Sequence, residues 1–312
     1  MRVIELPSDH KAFWQRLTRL FAVMGPGLVV MLADTEAGSV VTAAQSGAQW
    51  GYRLLLLQLL LVPLMFMAQE LTVRLGLCTG KGYVELVRQR FGQAVAIVSA
   101  AVLLLSCFGT LVTEMSGLVG AGSLFGILGW QILVALVVMI LGMVLTGSYH
   151  SVERVTIAIG LFGLAFLVMA FKAHPNVHQM LHDMTQIPLA DHDYLYLVAA
   201  NVGTSVMPWT LFYQQSALID KGLDTGRLRL ARVDTLVGTV LCQVLTSSVL
   251  IAAAATLGAH EQGGNLDNIA QIGDAFGALI GPSWGKVVFA IGLSGGALVA
   301  TIVVCLTAVL AL

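Results

Sequence analysis

The sequence predicts an all-α, polytopic membrane fold, and three observations carry that prediction. Of the 312 residues, 57% are hydrophobic and only 11% are charged, against roughly 25% charged residues in a soluble globular domain. So few charges cannot cover the surface of a water-soluble chain of this length. Eight segments are long and apolar enough to cross a bilayer, which takes about 20 residues each. The basic residues alternate between connecting segments as the positive-inside rule requires. The formal charge of -1 offers no basic field, so nucleic acid is not an expected partner.

The spans fall at roughly 19–45, 53–73, 93–120, 129–147, 152–171, 193–219, 233–258 and 284–312. Gly76-Leu-Cys-Thr-Gly-Lys-Gly82 closes span 2, and the polar stretches 173–192 and 259–275 follow spans 5 and 7. With the N-terminus in the cytoplasm, every basic residue except Arg53, Lys172 and Lys286 lies on the cytoplasmic side. These include Arg2, Lys11, Arg16 and Arg19, then Arg74, Lys81, Arg88 and Arg90, then Arg154, and finally Lys221, Arg227, Arg229 and Arg232. One missed span would scramble this alternation, so it supports the count and places the chain in the cytoplasmic membrane. Met1 to Leu20 is too polar for a signal-peptide core. Cys78, Cys107, Cys242 and Cys305 lie far apart in apolar runs and read as small buried hydrophobes. The chain reads as one transmembrane domain over 1–312, its last apolar run unclosed by any polar tail, which predicts that further helices follow.

Two spans carry features that a lipid-facing helix avoids. Span 1 reads Gly25-Pro-Gly-Leu-Val-Val-Met-Leu-Ala-Asp-Thr-Glu-Ala-Gly-Ser39, with two carboxylates at mid-membrane depth. Each charge there costs at least about 2.5–3.5 kcal/mol, so Asp34 and Glu36 need a cation, a proton or a wet cavity. Two acids one residue apart cannot share a helical face, whereas a helix broken at Gly38 lets both turn toward one cavity; the plainer alternative is a protonated, hydrogen-bonded pair. Span 6 holds Asn201-Val-Gly-Thr-Ser-Val-Met-Pro-Trp-Thr210, where Pro208 removes a backbone donor; alone this reads as a simple kink. Spans 1 and 6 are five apart, as corresponding helices of two five-helix inverted repeats are. Interruptions at such corresponding positions point to a transporter's substrate site.

These residues resemble the natural resistance-associated macrophage protein (Nramp) family of divalent-metal transporters, collinearly over essentially the whole chain. Gly25-Pro26-Gly27 opens span 1 at the family's distance from its Asp-Pro-Gly-Asn motif, which here reads Glu36-Ala37-Gly38-Ser39. Arg74-Leu-Gly-Leu-Cys-Thr-Gly-Lys81, Thr113-Glu-Met-Ser-Gly117 and Gly203-Thr-Ser-Val-Met-Pro208 resemble its signatures in spans 2, 3 and 6. The resemblance implies a leucine-transporter type of inverted-repeat fold with broken spans 1 and 6. Its first repeat would cover roughly 19–171, and its second, roughly 193–312, would lack its last helices. The departures are Glu36 for the motif's Asp, Ser39 for its Asn, an added Asp34, Trp209 and Gln214 for two histidines, and Leu111 for an acid. The acid pair around Ala-Gly resembles the Nramp-related magnesium transporters more than the manganese and iron branch.

By the resemblance, Glu36 and Met207 are side-chain metal ligands, Ala33 and Thr204 contribute backbone carbonyls, and Ser39 replaces an amide. Asp34 adds a charge that suits a partly hydrated Mg²⁺, while the thioether of Met207 favours a softer ion such as Mn²⁺ or merely fills the core. Glu114 in span 3 is a candidate proton carrier or an acid behind the ligands, with a structural protonated Glu as the competing reading. His174, His178, His182 and His192 crowd one external loop, where His178 and His182 could pair on a metal or simply be solvated. Glu70 and Arg74 have the i,i+4 spacing of a structural ion pair. Asp234, near the start of span 7, reads as solvated.

The expected function is import of Mg²⁺, Mn²⁺ or both by alternating access, without proton coupling because the helix 6 histidines are gone. The alternatives are a proton-coupled Mn²⁺/Fe²⁺ symporter and a non-transporting metal-binding sensor or subunit. No Ser/His/Asp set, HExxH or phosphate-binding glycine loop is present, so no enzyme and no cofactor are expected. The partners are the metal ion and the lipid bilayer; the oligomeric state is open.

Overall fold

The computed structural model describes residues 25–146, 149–257 and 269–310. Arg2, Lys11, Arg16 and Arg19, positions 19–24 of span 1, most of the 259–275 stretch and the final two residues, Ala311 and Leu312, lie outside the described residues. The described elements are α-helices with two short 3-10 turns and no strand.

Span 1 is split into α1 (Pro26–Asp34) and α2 (Ala37–Trp50), bent by 50°. Pro26 starts α1 at the position where a missing N–H costs nothing. Span 2 is α3 (Leu55–Thr79), ended by Gly80 at φ 62, whose N–H returns to the Gly76 carbonyl at 2.8 Å, a left-handed helix end of the kind glycine permits. A short amphipathic α4 (Tyr83–Phe91) leads into span 3, α5 (Gln93–Ser123), and span 4, α6 (Gly129–Thr146). Span 5 is α7 (Tyr149–Gly160), a 3-10 turn at Leu161–Leu164, and α8 (Ala165–Lys172). The histidine-rich loop contains α9 (Val177–Asp183). Span 6 divides into α10 (His192–Ser205) and α11 (Pro208–Asp220), span 7 is α12 (Leu228–Thr256), and span 8 is α14 (Pro282–Leu310).

Two expectations are corrected here. Among the described residues, six helices are long and apolar enough to span by themselves and the bent α1–α2 pair makes a seventh, while α6 offers only a shorter apolar stretch, Gly129–Gly142. The stretch expected to be polar up to 275 contains instead α13 (Ile269–Ile280). Its Ile269, Ile272 and Phe276 recur at i, i+3 and i+7, and Phe276 packs on Phe289 of α14 with ring centroids 5.4 Å apart. A one-sided apolar helix of this length buries its stripe without crossing the bilayer.

One buried cluster joins α2, α5, α12 and α14 through Val40, Ala44, Leu118, Val249, Ala253 and Phe289. A second lies under both interruptions and includes Val30, Met31, Ala33, Met207, Trp209, Cys242 and Val303. The outward faces of α3, α5 and α6 expose Leu60, Leu105 and Val138, side chains whose solvent is the lipid.

Candidate metal centre at the two helix breaks

The first break spans Thr35 (φ −80, ψ 53) and Glu36 (φ −85, ψ 175), between the last residue of α1 and the first of α2. In a continuous helix the Ala37 N–H would bond the Ala33 carbonyl. Here it donates to Glu114 Oε2 at 3.2 Å, which leaves the Ala33 carbonyl without its helical donor. The C-terminal end of α1 therefore presents the Ala33 carbonyl without that donor, at the partial negative end of a helix dipole. The N-terminal end of α2, which attracts anions, is already held by Glu114, fully buried on α5. Glu114 and Gly117 share a face of α5, and a side chain at Gly117 would collide with Ala37 Cβ. That close approach brings the acid to the break.

Asp34 and Glu36 are 2% and 3% exposed, so neither is lipid- or water-facing. The expectation that both turn into one cavity is corrected. Asp34 Oδ2 meets Cys242 Sγ of α12 at 3.5 Å, whereas the Glu36 carboxylate folds back over Gly38 and lies beside Glu114. The non-helical turn at Thr35 lets the two side chains meet different helices, Asp34 on α12 and Glu36 on α5. Asp34 Oδ1 and Glu36 Oε2 are buried without a hydrogen-bond partner. Ser39 donates to the Asp34 carbonyl at 3.0 Å and the Glu36 carbonyl at 2.9 Å, so its hydroxyl proton holds the break together and only its lone pairs remain for an ion.

The second break lies at Val206 and Met207. Pro208 has no N–H, so the Thr204 carbonyl also lacks its helical partner. Thr204 Oγ1 bonds the Asn201 carbonyl at 3.2 Å. Met207 sits in the buried cluster with Met31 and Ala33, and its sulfur accepts the Trp209 indole N–H at 3.2 Å. Ser205 Oγ lies 3.4 Å from Gln243 Nε2 of α12.

Around these breaks the bundle is tied at both ends. At the basic end Glu70 bonds Arg74 at 2.9 Å and Arg232 of α12 at 2.6 Å, so the i,i+4 pair expected from sequence gains a cross-helix partner. Asp234 is not solvated. It is 1% exposed, and its Oδ2 accepts the Gly25 and Gly27 N–H groups at 3.3 and 2.8 Å, capping α1. At the other end Gln58 Nε2 bonds Asn201 Oδ1 at 2.6 Å, and Asn201 Nδ2 bonds Ser46 Oγ at 2.8 Å, linking α3, α10 and α2. A cavity of about 950 Å³ between α2, α5 and α13 reaches Ala37 and Gly38 and carries the hydroxyls of Thr42, Thr113 and Ser116.

The structure separates the other candidates from the breaks. His178 and His182 lie one turn apart on α9, both exposed, with His182 Nδ1 3.3 Å from Asp183 Oδ1. Among the described residues no three His, Cys, Asp or Glu side chains gather into a metal-holding group. Cys78 is exposed rather than buried. Sequence reasoning missed the roles of Cys242 and Asp234 at this break, and missed Gly296 altogether. A side chain at Gly296 of α14 would overlap the Thr35 carbonyl, so this glycine admits the unwound backbone. The Gly295-Gly296 pair inside an apolar span was the available signal.

Several transporters are similar to this chain in sequence or in fold. A divalent metal cation transporter MntH of Bradyrhizobium diazoefficiens is 27% identical over 309 residues, covering 93% of this chain and 66% of the relative. The MntH of Mesorhizobium japonicum is also 27% identical, covering 96% of this chain and 68% of that protein. The chain thus spans about two thirds of the length of these relatives. The crystal structure of the Eremococcus coleocola manganese transporter, in complex with an aromatic bis-isothiourea substituted compound, superposes with a TM-score of 0.74 at 19% identity, over 99% of this chain and 67% of that one, which establishes the fold. The family model for natural resistance-associated macrophage protein-like proteins matches residues 27–312, and the chain belongs to that family.

Proposed function

We propose that this chain moves a divalent metal ion inward across the cytoplasmic membrane by alternating access, with the N-terminus in the cytoplasm. The observation that carries this reading is the Ala33 carbonyl, stripped of its donor by Glu114 and flanked by two buried carboxylates with unpartnered oxygens. Unsatisfied carbonyls and carboxylates are hard-ion donors, and a buried acid without a cation is strongly disfavoured. An anionic or amino-acid cargo would meet the α2 N-terminus already filled by Glu114 and would be repelled by Glu36. In this reading Glu36, the Ala33 and Thr204 carbonyls and Met207 hold the ion. Ser39 orders the break, and the hydroxyl-bearing cavity beside Gly38 serves as the approach.

Two features support Mn²⁺ as cargo: the Met207 sulfur at the second break, and the names of relatives called divalent metal cation or manganese transporters. Asp34 extends the preference toward Mg²⁺ by adding a charge. Movement is not coupled to protons in this proposal, because Trp209 and Gln214 stand where titrating groups would be, and Gln214 is committed to Thr235 Oγ1 at 2.6 Å. The deciding experiment is Glu36→Gln in proteoliposomes. The variant keeps the side-chain size, so it should fold and lose Mn²⁺ uptake; undiminished uptake by folded protein would remove Glu36 from the site.

A further inference from the structure

We infer that Asp34, Thr35 and Cys242 form a separate thiophilic subsite beside the first break, one that takes a borderline or soft divalent ion such as Zn²⁺ or Cd²⁺. It rests on the reading above only in that the break must admit a metal ion.

Asp34 is 2% exposed, yet among the described residues its carboxylate meets a thiol, a weak donor, at 3.5 Å, and its Oδ1 has no hydrogen-bond partner. A buried carboxylate compensated by one thiol is far short of what its burial demands. Cys242 is a free thiol, 2% exposed, and Thr35 Oγ1 lies 3.5 Å from the same sulfur. One carboxylate, one sulfur and one hydroxyl therefore converge from α1, the break and α12. The spacing also fits. With metal–sulfur and metal–oxygen bonds of about 2.3 and 2.1 Å, a tetrahedral angle puts sulfur and oxygen about 3.6 Å apart, close to the 3.5 Å between Cys242 Sγ and Asp34 Oδ2. Water completes the coordination. The thiolate is the ligand, so binding releases the Cys242 proton to water.

Sulfur decides the ligand class. A thiolate selects Zn²⁺ and Cd²⁺ over Mg²⁺ and Mn²⁺, whereas the Glu36 side of the break offers oxygen donors and a thioether. The break thus presents two faces: an oxygen-rich one toward α5 and a sulfur-bearing one toward α12. An ion held on the second face pins Asp34 and Thr35 to α12 and opposes the hinge, so Zn²⁺ and Cd²⁺ should block Mn²⁺ entry.

The test uses the purified full chain with Cys78→Ser, which removes the exposed thiol. Cd²⁺ titration should produce the ultraviolet thiolate-to-cadmium charge-transfer band, and cadmium NMR of the same protein should report a sulfur ligand. Cys242→Ser should abolish the band and weaken Cd²⁺ binding roughly ten- to hundredfold, and Asp34→Asn should weaken it similarly. Mn²⁺ binding should change little in Cys242→Ser. A band that survives in Cys242→Ser, or a cadmium signal without sulfur in the unsubstituted Cys242 protein, overturns the inference. Absence of Mn²⁺ binding alongside an intact Cys242-dependent band would sink the transport reading instead and leave this one standing. A parent that also carries Cys107→Ser and Cys305→Ser leaves Cys242 as its one thiol, and should Cys242→Ser not fold, the cadmium NMR signal of that parent decides.

Discussion

At the residue scale, the break in span 1 depends on a competition for one amide. Ala37 N–H can bond the Ala33 carbonyl and continue the helix, or bond Glu114 and leave that carbonyl free; the structure takes the second. Glu114→Leu removes the competing acceptor and favours helix through the break, so folded protein should show Mn²⁺ affinity lowered by roughly tenfold or more, measured by calorimetry in detergent; unchanged affinity would show that the break forms without Glu114. Asp34→Ala removes the charge that favours hydrated ions, so in competition uptake the Mg²⁺/Mn²⁺ preference should move toward Mn²⁺. An unchanged preference would mean that Asp34 acts only on the α12 side of the break. Both acids and Gly38 were legible in sequence because charge in an apolar run is conspicuous. Their divergence was not, because it depends on backbone angles at Thr35 and Glu36.

At the element scale, α12 ties both interrupted spans to α3. Its Asp234 caps α1, its Arg232 reaches Glu70 on α3, and its Gln243 approaches Ser205 at the second break. Asp234→Asn keeps the shape but replaces a charged acceptor of two N–H groups by a neutral one, which should cost about 1 kcal/mol of the typical 1.5–3 kcal/mol for bonds to charged groups. A thermal-shift assay on purified protein reads this, with no shift indicating that α1 finds another cap. Gly296→Val places a side chain where the Thr35 carbonyl lies. It should preserve helix content by circular dichroism while suppressing metal binding, since α14 can no longer accept the unwound segment. Near-normal binding would show that the break relaxes away from α14 at little cost. From sequence, Asp234 looked like an acid at a helix start. Only packing of α12 against α1 turned it into the cap of another helix.

At the scale of the whole molecule, the question is what drives the ion. Two positive charges crossing 100 mV gain about 4.6 kcal/mol, enough to accumulate a divalent cation without a second gradient. The expected outcome in proteoliposomes is Mn²⁺ entry that rises with inside-negative voltage and is unaccompanied by lumenal acidification, read by metal and pH dyes in parallel. Acidification that tracks Mn²⁺ entry and disappears in Glu114→Gln would establish coupling through the remaining buried acids.

What the sequence determined by itself was the solvent and the plan. Charge scarcity demands a membrane, basic residues set the alternation of spans, and acids or prolines inside apolar runs mark spans 1 and 6 as interrupted. Those properties are local or additive along the chain, so composition and spacing suffice to read them. The tertiary structure decided which groups face each other. Glu114 reaches Ala37 from 77 positions away and Cys242 reaches Asp34 from 208. Gln58, Asn201 and Ser46 close one end from three separate helices. Such pairings arise from the rotation and approach of packed helices, set by small residues such as Gly117 and Gly296 where backbones touch. A one-dimensional pattern carries the face of each helix but not the partner that the face meets.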